Sequence, residues 1–294
     1  MPHRISAPDL QSLLQLQSVD ANTFRSINNE RNVNGRIYGG QIMGQLVLAA
    51  AGSIDAGRDP TVLQMVFMQG ASADQSLDYA VRPLQDGRRF SSRHVAVTQN
   101  GVPIVDAHLS FQTPADGAID HQPSHGPIPA APEAHPPPQL LDPVTVEKMK
   151  QAGYFGFHLH PFIEARIAYP EQPFIPDVPA AEFKMWTRLR QPFSAEPMMQ
   201  NAALAYLSDW WLAYCGYSFL IGTASSQNRI YVATLNHALW FHAPCRADEW
   251  LLYVCKTLRL GGNRGLVSGQ LYTTRGVLVA SATQESLQMP VPSA

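Results

Sequence analysis

The sequence predicts an α+β protein built from two similar units, in each of which an antiparallel sheet wraps around one long apolar helix. Three observations support this prediction. Two long apolar runs have the composition of buried helices, strand-like segments follow each run, and this order of elements occurs twice along the 294 residues. A helix that is apolar on every side can be hidden only when a curved sheet covers it.

The first unit contains a helix that is predicted over Ile42 to Ala51. Its glycine-rich start, Gly39-Gly40-Gln41, exposes backbone N–H groups at the positive end of the helix, so these three residues are candidate substrate-binding groups. Four strands of an antiparallel meander follow, with an Asn-Gly hairpin turn between the last two: Val62 to Phe67, Leu77 to Val81, Ser92 to Thr98 and Ile104 to Phe111.

The second unit is organised around the run from Gln200 to Gly216, whose composition predicts one continuous buried helix. Asp209 is the only formally charged side chain between Glu196 and Arg229. Burying a carboxylate costs several kcal/mol unless it has partners. Two interpretations stay open from the residues alone: a structural carboxylate held by backbone N–H groups, or a carboxylate kept for acid–base chemistry.

A proline-rich segment separates the two units. Pro114 to Pro143 contains nine prolines among Ala, His and Gly, a composition that cannot sustain a helix or a sheet. We expect an extended linker with an exposed and mobile middle, between an N-terminal domain over residues 1–113 and a C-terminal domain over residues 144–294. Beyond the linker, two strands are predicted before the Asp209 helix and four after it.

Comparison of the chain with itself at an offset of 175 residues indicates a duplication. Without a gap, six residues of the first half coincide with identical residues of the second: Gly87, Arg89, Thr98, Gly101, Val102 and Ala107 fall on Gly262, Arg264, Thr273, Gly276, Val277 and Ala282. These identities agree with the repeated order of helix and strands. The prediction is therefore a tandem, or double, hot-dog fold.

Composition excludes several classes of function. The formal net charge is -2 and the 21 Lys and Arg residues form no basic stripe, so no nucleic-acid partner is predicted. The most apolar window has Asp209 at its centre, which argues against a membrane span, and no apolar leader segment follows Met1. Three cysteines are an odd number in apolar surroundings, which suits reduced thiols in the cytoplasm.

Six motifs cover nearly the whole chain in a fixed order: IYGGQIMGQLVLAA, RPLQDGRRFSSRHVAVTQNGVPI, AYLSDWW, VATLNHALWFHAP, DEWLLY and GVLVASATQE. As a set they resemble the successive landmarks of the acyl-CoA thioesterase II (TesB-type) family. The resemblance implies an enzyme that hydrolyses acyl-CoA to a free fatty acid and CoA, without a cofactor. We also expect a homo-oligomer, either a dimer or a tetramer.

The resemblance also implies catalytic residues, because the family holds its attacking water among an Asp, a Thr or Ser, and a Gln. Matched motif by motif, these roles fall on Asp209 in AYLSDWW, Thr234 in VATLNHALWFH and Gln284 in VASATQE. The chain departs from the family at Met68-Gln69-Gly70-Ala71, where a corner similar to Leu-Arg-Pro-Gly is usual. We therefore do not carry over a substrate preference.

The chemistry of thioester hydrolysis suits these residue types. Asp209 would act as general base, with its pKa raised by desolvation, while Thr234 and Gln284 can each donate and accept hydrogen bonds and so fix one water. The oxyanion would be stabilised by backbone N–H groups at a helix start, either at Gly39-Gly40-Gln41 or at Gln200-Asn201.

The repeat predicts one catalytic site per chain. The offset of 175 residues places Asp59 opposite Thr234 and Leu109 opposite Gln284, and the first-half helix contains no carboxylate. The first half can therefore supply pocket walls or backbone donors, but not a second set of water-activating side chains.

Two other classes of function are alternatives to hydrolysis. A non-catalytic acyl-CoA-binding protein remains an alternative, because a duplicated fold can be retained after its catalytic activity is lost. An enoyl-CoA hydratase of related fold would commonly place a His five residues after the helix Asp, where this chain has Tyr214. No metal site is predicted, because His158 and His160 lack a Cys or acidic companion at metal-ligand spacing. His237 and His242 are interpreted as satisfied core or surface histidines.

Overall fold

The computed structural model describes residues 4–32, 34–115, 117, 119–123, 128–135, 137, 140, 143–144, 147, 160–168, 182–216 and 229–291; His158 lies outside them. The helices whose bounds are described are α1 (Leu10–Leu14), α2 (Gly39–Ala51), α3 (Pro197–Ser208) and α4 (Leu212–Cys215), with a 3-10 turn at Pro132–Ala134. None of these described helices has the length and apolar character that crossing a membrane requires.

The described strands are β1 (Arg4–Ile5), β2 (Leu16–Ser18), β3 (Thr23–Ser26), β4 (Glu30–Arg31), β5 (Asp59–Phe67), β6 (Asp78–Asp86), β7 (Phe90–Gln99), β8 (Val102–Gln112), β9 (Ile163–Ile167), β10 (Glu182–Leu189), β11 (Arg229–Phe241), β12 (Leu251–Gly261), β13 (Arg264–Thr273) and β14 (Leu278–Val291). Strand β1 pairs with β4, and the other twelve form one antiparallel sheet. Every strand run predicted from the sequence lies within or overlaps one of these strands.

The order of the twelve strands shows the duplication directly. It reads β2-β3-β6-β7-β8-β5-β11-β14-β13-β12-β10-β9, so the six strands of the second half mirror the six of the first about the pairing of β5 with β11. The equivalent turns also agree, since Gly101 before β8 and Gly276 before β14 both adopt a positive φ. The double hot-dog prediction is confirmed, with the two half-sheets joined edge to edge.

Helices α2 and α3 lie together against this sheet and run antiparallel. A Cβ built on Gly40 would lie 2.5 Å from the backbone oxygen of Tyr206, and one built on Gly44 would lie 2.9 Å from that of Ala202. Because Gly40 and Gly44 are four residues apart, they lie on one helix face, and the missing side chains allow the two helix backbones to approach closely. This contact brings the start of α2 beside the end of α3.

The prediction of one continuous helix from Gln200 to Gly216 is wrong. Helix α3 ends at Ser208 with Asp209 as its C-cap, and a separate short helix, α4, begins after Trp211. Trp211 adopts φ 72°, a left-handed conformation that interrupts the helical path and is rare for a bulky side chain. The break moves Asp209 from the middle of a predicted helix to a helix end, next to a cavity.

Most described residues of the proline-rich segment are exposed, but some of its groups contact the second half of the sheet. Pro129 and Pro132 are buried, and the Trp186 indole N–H donates to the carbonyl of the exposed Ala130 at 3.1 Å. The side chain of Gln122 also bonds to β14 and its preceding turn, accepting from the Leu278 N–H at 2.8 Å. These described parts of the segment therefore pack on the second half of the sheet.

Candidate active site

Asp209 lies where the end of α3 meets the start of α2. Its side chain is 7% exposed. A Cβ built on Gly39 would lie 2.7 Å from its Oδ2 atom, and the backbone N–H of Gly40 donates a hydrogen bond to the carboxylate. Helix α2 starts after Tyr38, whose side chain makes no capping hydrogen bond, so the positive end of the helix dipole faces Asp209.

Gln284 joins the other two predicted residues. Its Nε2 atom donates to Asp209 Oδ1 at 2.7 Å and to Thr234 Oγ1 at 2.8 Å. An ionised carboxylate only accepts hydrogen bonds, so the NH₂ side of the amide has to face Asp209. Thr234 Oγ1 accepts from the amide, which leaves the hydroxyl proton of Thr234 available for another acceptor. The structure thus brings Asp209, Thr234 and Gln284 together.

A β-bulge in β11 orients the side chains around Asp209. Thr234 pairs with Ser286 of β14, the register shifts at Leu235, and His237 pairs with Gln284. Thr234 and His237 are three residues apart and would point to opposite faces of a regular strand. The extra residue of the bulge restores the phase, so both side chains face inward beside Gln284.

His237 is a site residue that sequence reasoning missed. It is a core histidine, as interpreted, but its Nδ1 atom lies 3.9 Å from Asp209 Oδ1 and, within the described residues, has no hydrogen-bond partner. Burial lowers the pKa of His237 to about 3, so the ring is neutral. Only the cross-strand pairing of His237 with Gln284 identifies His237 as a neighbour of Asp209. His242, in contrast, contacts the Ser281 hydroxyl at 2.9 Å on the surface.

Burial raises the pKa of Asp209 from its ordinary value of 3.8 to about 6. The hydrogen bonds from Gln284 and the Gly40 amide oppose this rise, and the negative charge of nearby Glu30 adds to it. The direction agrees with the sequence-based expectation. Asp209 is therefore mainly ionised at pH 7, yet it is a stronger proton acceptor than an exposed carboxylate.

Glu30 belongs to a fully buried polar cluster behind the site. The Tyr206 hydroxyl of α3 donates to Glu30 Oε2 at 2.6 Å, and His160 Nε2 lies 2.9 Å from Glu30 Oε1. The side chains of Glu30 and His160 are both 0% exposed. Because Glu30 comes from the first half and the other two from the second, this cluster ties the halves together close to Asp209.

A cavity of about 290 Å³ opens onto Asp209 and Thr234. Aromatic side chains form much of its wall, namely Phe67, Trp210, Trp211, Tyr214 and Tyr231. The segment before α2 and the corner after β5 line it as well. A mainly apolar cleft with a few convergent polar groups at one point is typical of a small-molecule site.

The two predicted oxyanion donors differ in their position. Gln200 lies nine residues before Asp209, about 13 Å along α3, and the start of α3 is capped by the Glu196 carboxylate, which accepts from Met199 N at 2.7 Å. The start of α2 lies beside Asp209 instead. Of its three predicted residues, Gly39 lines the cavity.

The other two predicted residues at the start of α2 have partners of their own. The Gly40 amide bonds Asp209, and the Gln41 side chain is buried away from the cavity, where its Oε1 accepts from the Glu30 N–H at 2.7 Å. Gln41 Nε2 donates to the Asn28 carbonyl at 2.9 Å. The Gln41 side chain therefore holds α2 to the strand region before it, and only its backbone could take part in binding.

The fold and this geometry define a double hot-dog protein with a buried acid–amide–hydroxyl site in its second half. Family models agree with that class: the acyl-CoA thioesterase N-terminal domain matches residues 29–112, and the acyl-CoA thioesterase C-terminal domain matches residues 131–288. The chain belongs to the acyl-CoA thioesterase family of TesB type.

Several named relatives are similar over nearly the whole chain. Acyl-coenzyme A thioesterase 8 from Mus musculus is 31% identical over 290 residues, which cover 94% of this chain and 87% of that protein. Acyl-CoA thioesterase 2 from Haemophilus influenzae is 27% identical, with 95% and 96% covered. Among solved structures, the acyl-CoA thioesterase II TesB2 from Mycobacterium marinum superposes with a TM-score of 0.75 at 29% identity, covering 97% of this chain and 98% of that one.

Proposed function

We propose that this protein hydrolyses acyl-CoA thioesters to a free fatty acid and CoA. The observation that carries the proposal is the position of Gln284 Nε2, which lies 2.7 Å from Asp209 Oδ1 and 2.8 Å from Thr234 Oγ1 at the cavity wall. One amide thus orients both a proton acceptor and a hydroxyl donor toward the same small space. A single water in that space can accept a hydrogen bond from the Thr234 hydroxyl and donate one to Asp209.

The reaction needs a base, an aligned water and a stabilised oxyanion. The water accepts a hydrogen bond from the Thr234 hydroxyl, gives its proton to Asp209, and attacks the thioester carbonyl carbon. The resulting oxyanion is stabilised by the Gly39 N–H, which as a first-turn helix group has no intrahelical partner. The C–S bond then breaks, and the proton held by Asp209 passes to the CoA sulfur, which leaves as a thiol.

Release of free thiol from a panel of acyl-CoA substrates tests this function. We expect turnover of at least one acyl length, with equal amounts of fatty acid and CoA formed. Tight acyl-CoA binding without thiol release would favour the non-catalytic alternative. Conversion of an enoyl-CoA to a hydroxyacyl-CoA would favour a hydratase, although Tyr214, with its pKa raised to about 12 by burial, occupies the position of the hydratase His.

Arg36 is our candidate for contact with the phosphates of CoA. At the corner where the family usually has an Arg, this chain has Gln69, whose amide donates to the Pro103 carbonyl at 2.8 Å. A Cβ built on the adjacent Gly70 would lie 3.1 Å from Arg36 Cγ and Cδ, so the Arg36 stem crosses this corner. Arg36 is exposed at the cavity, where a cation can meet a phosphate.

Replacing Arg36 with Ala should raise KM about tenfold for acyl-CoA, because a charge-assisted hydrogen bond to phosphate contributes roughly 1.5 kcal/mol or more. The KM for an acyl-pantetheine, which lacks the nucleotide and its phosphates, should stay unchanged. The matched control is Arg275→Ala, which removes an exposed Arg from the turn before β14. An equal change in KM for both substrates would show that Arg36 does not bind the phosphates.

We propose one catalytic site per chain. Asp59, the counterpart of Thr234, is exposed at the start of β5, and Leu109, the counterpart of Gln284, is buried and apolar. The start of α3 is also capped by the Glu196 carboxylate, and Pro197 occupies its first position. The backbone N–H groups that correspond to those at the start of α2 are therefore not available to a ligand. The first half then contributes the Gly39-Gly40 backbone and part of the cavity wall.

The finer organisation is likewise proposed. Domain boundaries at residues 113 and 144 are supported by the first family match, which ends at residue 112, while the second begins within the proposed linker at residue 131. We place the protein in the cytoplasm because it has three cysteines, an odd number in apolar surroundings that suits reduced thiols. A homo-oligomer, a dimer or tetramer, is supported by exposed apolar side chains on the outer face of the sheet, including Val66, Trp240 and Met289.

A further inference from the structure

A cluster of two histidines and one aspartate lies on the outer face of the sheet, away from Asp209. His94 of β7 pairs directly with His108 of β8, and Asp106 precedes His108 by two residues. Residues at spacing two on a strand share a face, and directly paired residues on neighbouring strands also share it. This face points outward, because the residues next to these positions in each strand, Val95 and Ala107, are fully buried on the opposite face.

The ligand atoms of the cluster are already close together. His94 Nε2 lies 2.8 Å from Asp106 Oδ2, and His108 Nε2 lies 3.9 Å from Asp106 Oδ1. One ligand atom from each of the three residues lies within 4.8 Å of the other two. Around a tetrahedral Zn²⁺ with bonds near 2.0–2.1 Å, ligand atoms are about 3.3 Å apart. To reach that separation the His108 ring, which is 58% exposed, has to move closer, and the contact of 2.8 Å between His94 and Asp106 has to widen.

We propose that His94, Asp106 and His108 form a binding site for a divalent transition-metal ion, with Zn²⁺ as the reference ion. Two imidazoles and a carboxylate are a ligand set for Zn²⁺, Ni²⁺, Co²⁺ or Cu²⁺, whereas Ca²⁺ and Mg²⁺ prefer oxygen ligands alone. Water completes the coordination on the exposed side. The spacing of these residues along the chain does not reveal the site, because His94 and His108 become neighbours only through strand pairing.

The surroundings of the cluster limit its affinity. Arg82 of β6 pairs with His94 and brings a positive charge near the site, while Gln64 of β5 pairs with His108 and brings none. The Asp106 carboxylate offsets one positive charge of the metal, and the present contact between His94 Nε2 and Asp106 is replaced by metal bonds when the ion binds. Three protein ligands on a rigid sheet are expected to hold Zn²⁺ in the micromolar range, weaker than a closed structural zinc site.

Calorimetric titration of the untagged, chelator-treated full-length protein with Zn²⁺ tests the proposal. We expect one Zn²⁺ per chain, and a decrease in affinity of at least about tenfold in His108→Ala and in Asp106→Asn, since loss of a ligand or of its orientation typically costs that much. Both residues are partly or mainly exposed, so both variants should fold, which circular dichroism checks. Co²⁺ in place of Zn²⁺ should give visible d–d absorption that the same substitutions abolish.

His242→Ala is the matched control, because it removes another partly exposed histidine from the end of a strand. It should leave Zn²⁺ affinity unchanged. The proposal is overturned if no Zn²⁺ binds at micromolar concentrations, or if binding persists in a folded His94→Ala, His108→Ala double variant. Thioester hydrolysis is not the readout, so failure of the metal site and failure of the proposed activity are distinguishable.

Discussion

Replacing Asp209 with Asn should lower acyl-CoA turnover by at least about a hundredfold while the protein stays folded, because the variant lacks the proposed general base. Asn is nearly isosteric and can still accept the hydrogen bond from Gln284. The loss should lie in kcat rather than in KM, since the proposed role of Asp209 is to activate the water and not to hold the CoA moiety. Thiol release measured over a range of substrate concentrations separates the two parameters.

The stability of the same variant provides an independent check. The folded-state pKa of Asp209, about 6, lies above the ordinary value of 3.8, so ionising Asp209 costs the folded state roughly 3 kcal/mol at neutral pH. This cost is absent below the unfolded pKa and grows as the pH rises toward the folded pKa. Asn is neutral, so Asp209→Asn should unfold at an equal or higher temperature than wild type at pH 7. A lower unfolding temperature would show that the carboxylate is structural.

Replacing Gly40 with Ala should destabilise the protein by about 2–3 kcal/mol and should also abolish most of the activity. The added methyl group would lie 2.5 Å from the Tyr206 carbonyl oxygen and would also overlap the ring of Tyr38. Neither can move easily, because the oxygen is helix backbone and the ring is buried. Separation of α2 from α3 would displace the Gly40 amide from Asp209, which denaturant unfolding and thiol release would report together.

Gly87→Ala is the matched control for this prediction. Gly87 lies in the hairpin between β6 and β7, its φ is not positive, and a Cβ there would meet the Phe90 carbonyl oxygen at 3.3 Å, a tight but tolerable distance. We expect a much smaller loss of stability and unchanged activity in this variant. If Gly40→Ala proved as stable and active as Gly87→Ala, the close approach of α2 and α3 would not be what positions Asp209.

Much of the fold could be predicted from local pattern. The strands and the duplication follow from alternating apolar residues and from identities such as Gly101 and Gly276, which mark equivalent turns. Asp209 could be singled out because it is an isolated charge in an apolar run. Thr234 and Gln284 could not, since a strand Thr and a Gln near the chain end have no distinguishing local pattern; they came from the family resemblance.

The features that sequence reasoning missed depend on contacts between distant segments. His237 reaches Asp209 because a bulge at Leu235 shifts the register of β11, and a bulge leaves no periodic mark in one strand. The break after Asp209 requires a left-handed Trp211, a conformation that no residue preference would assign to Trp. Pro129 and Pro132 are buried although their segment has the composition of an exposed linker, and the Ala130 carbonyl beside them accepts from the Trp186 indole N–H.

The pH dependence of kcat/KM tests most directly the claim that Asp209 is the base of a thioester hydrolase. The account predicts a constant value above about pH 7 and a decrease that approaches tenfold per pH unit below an apparent pKa near 6, as Asp209 becomes protonated. In Asp209→Asn the residual activity should lose this acidic limb. An acidic limb that persists unchanged in the folded variant, or a wild-type profile that is flat between about pH 5 and pH 7, would contradict the account.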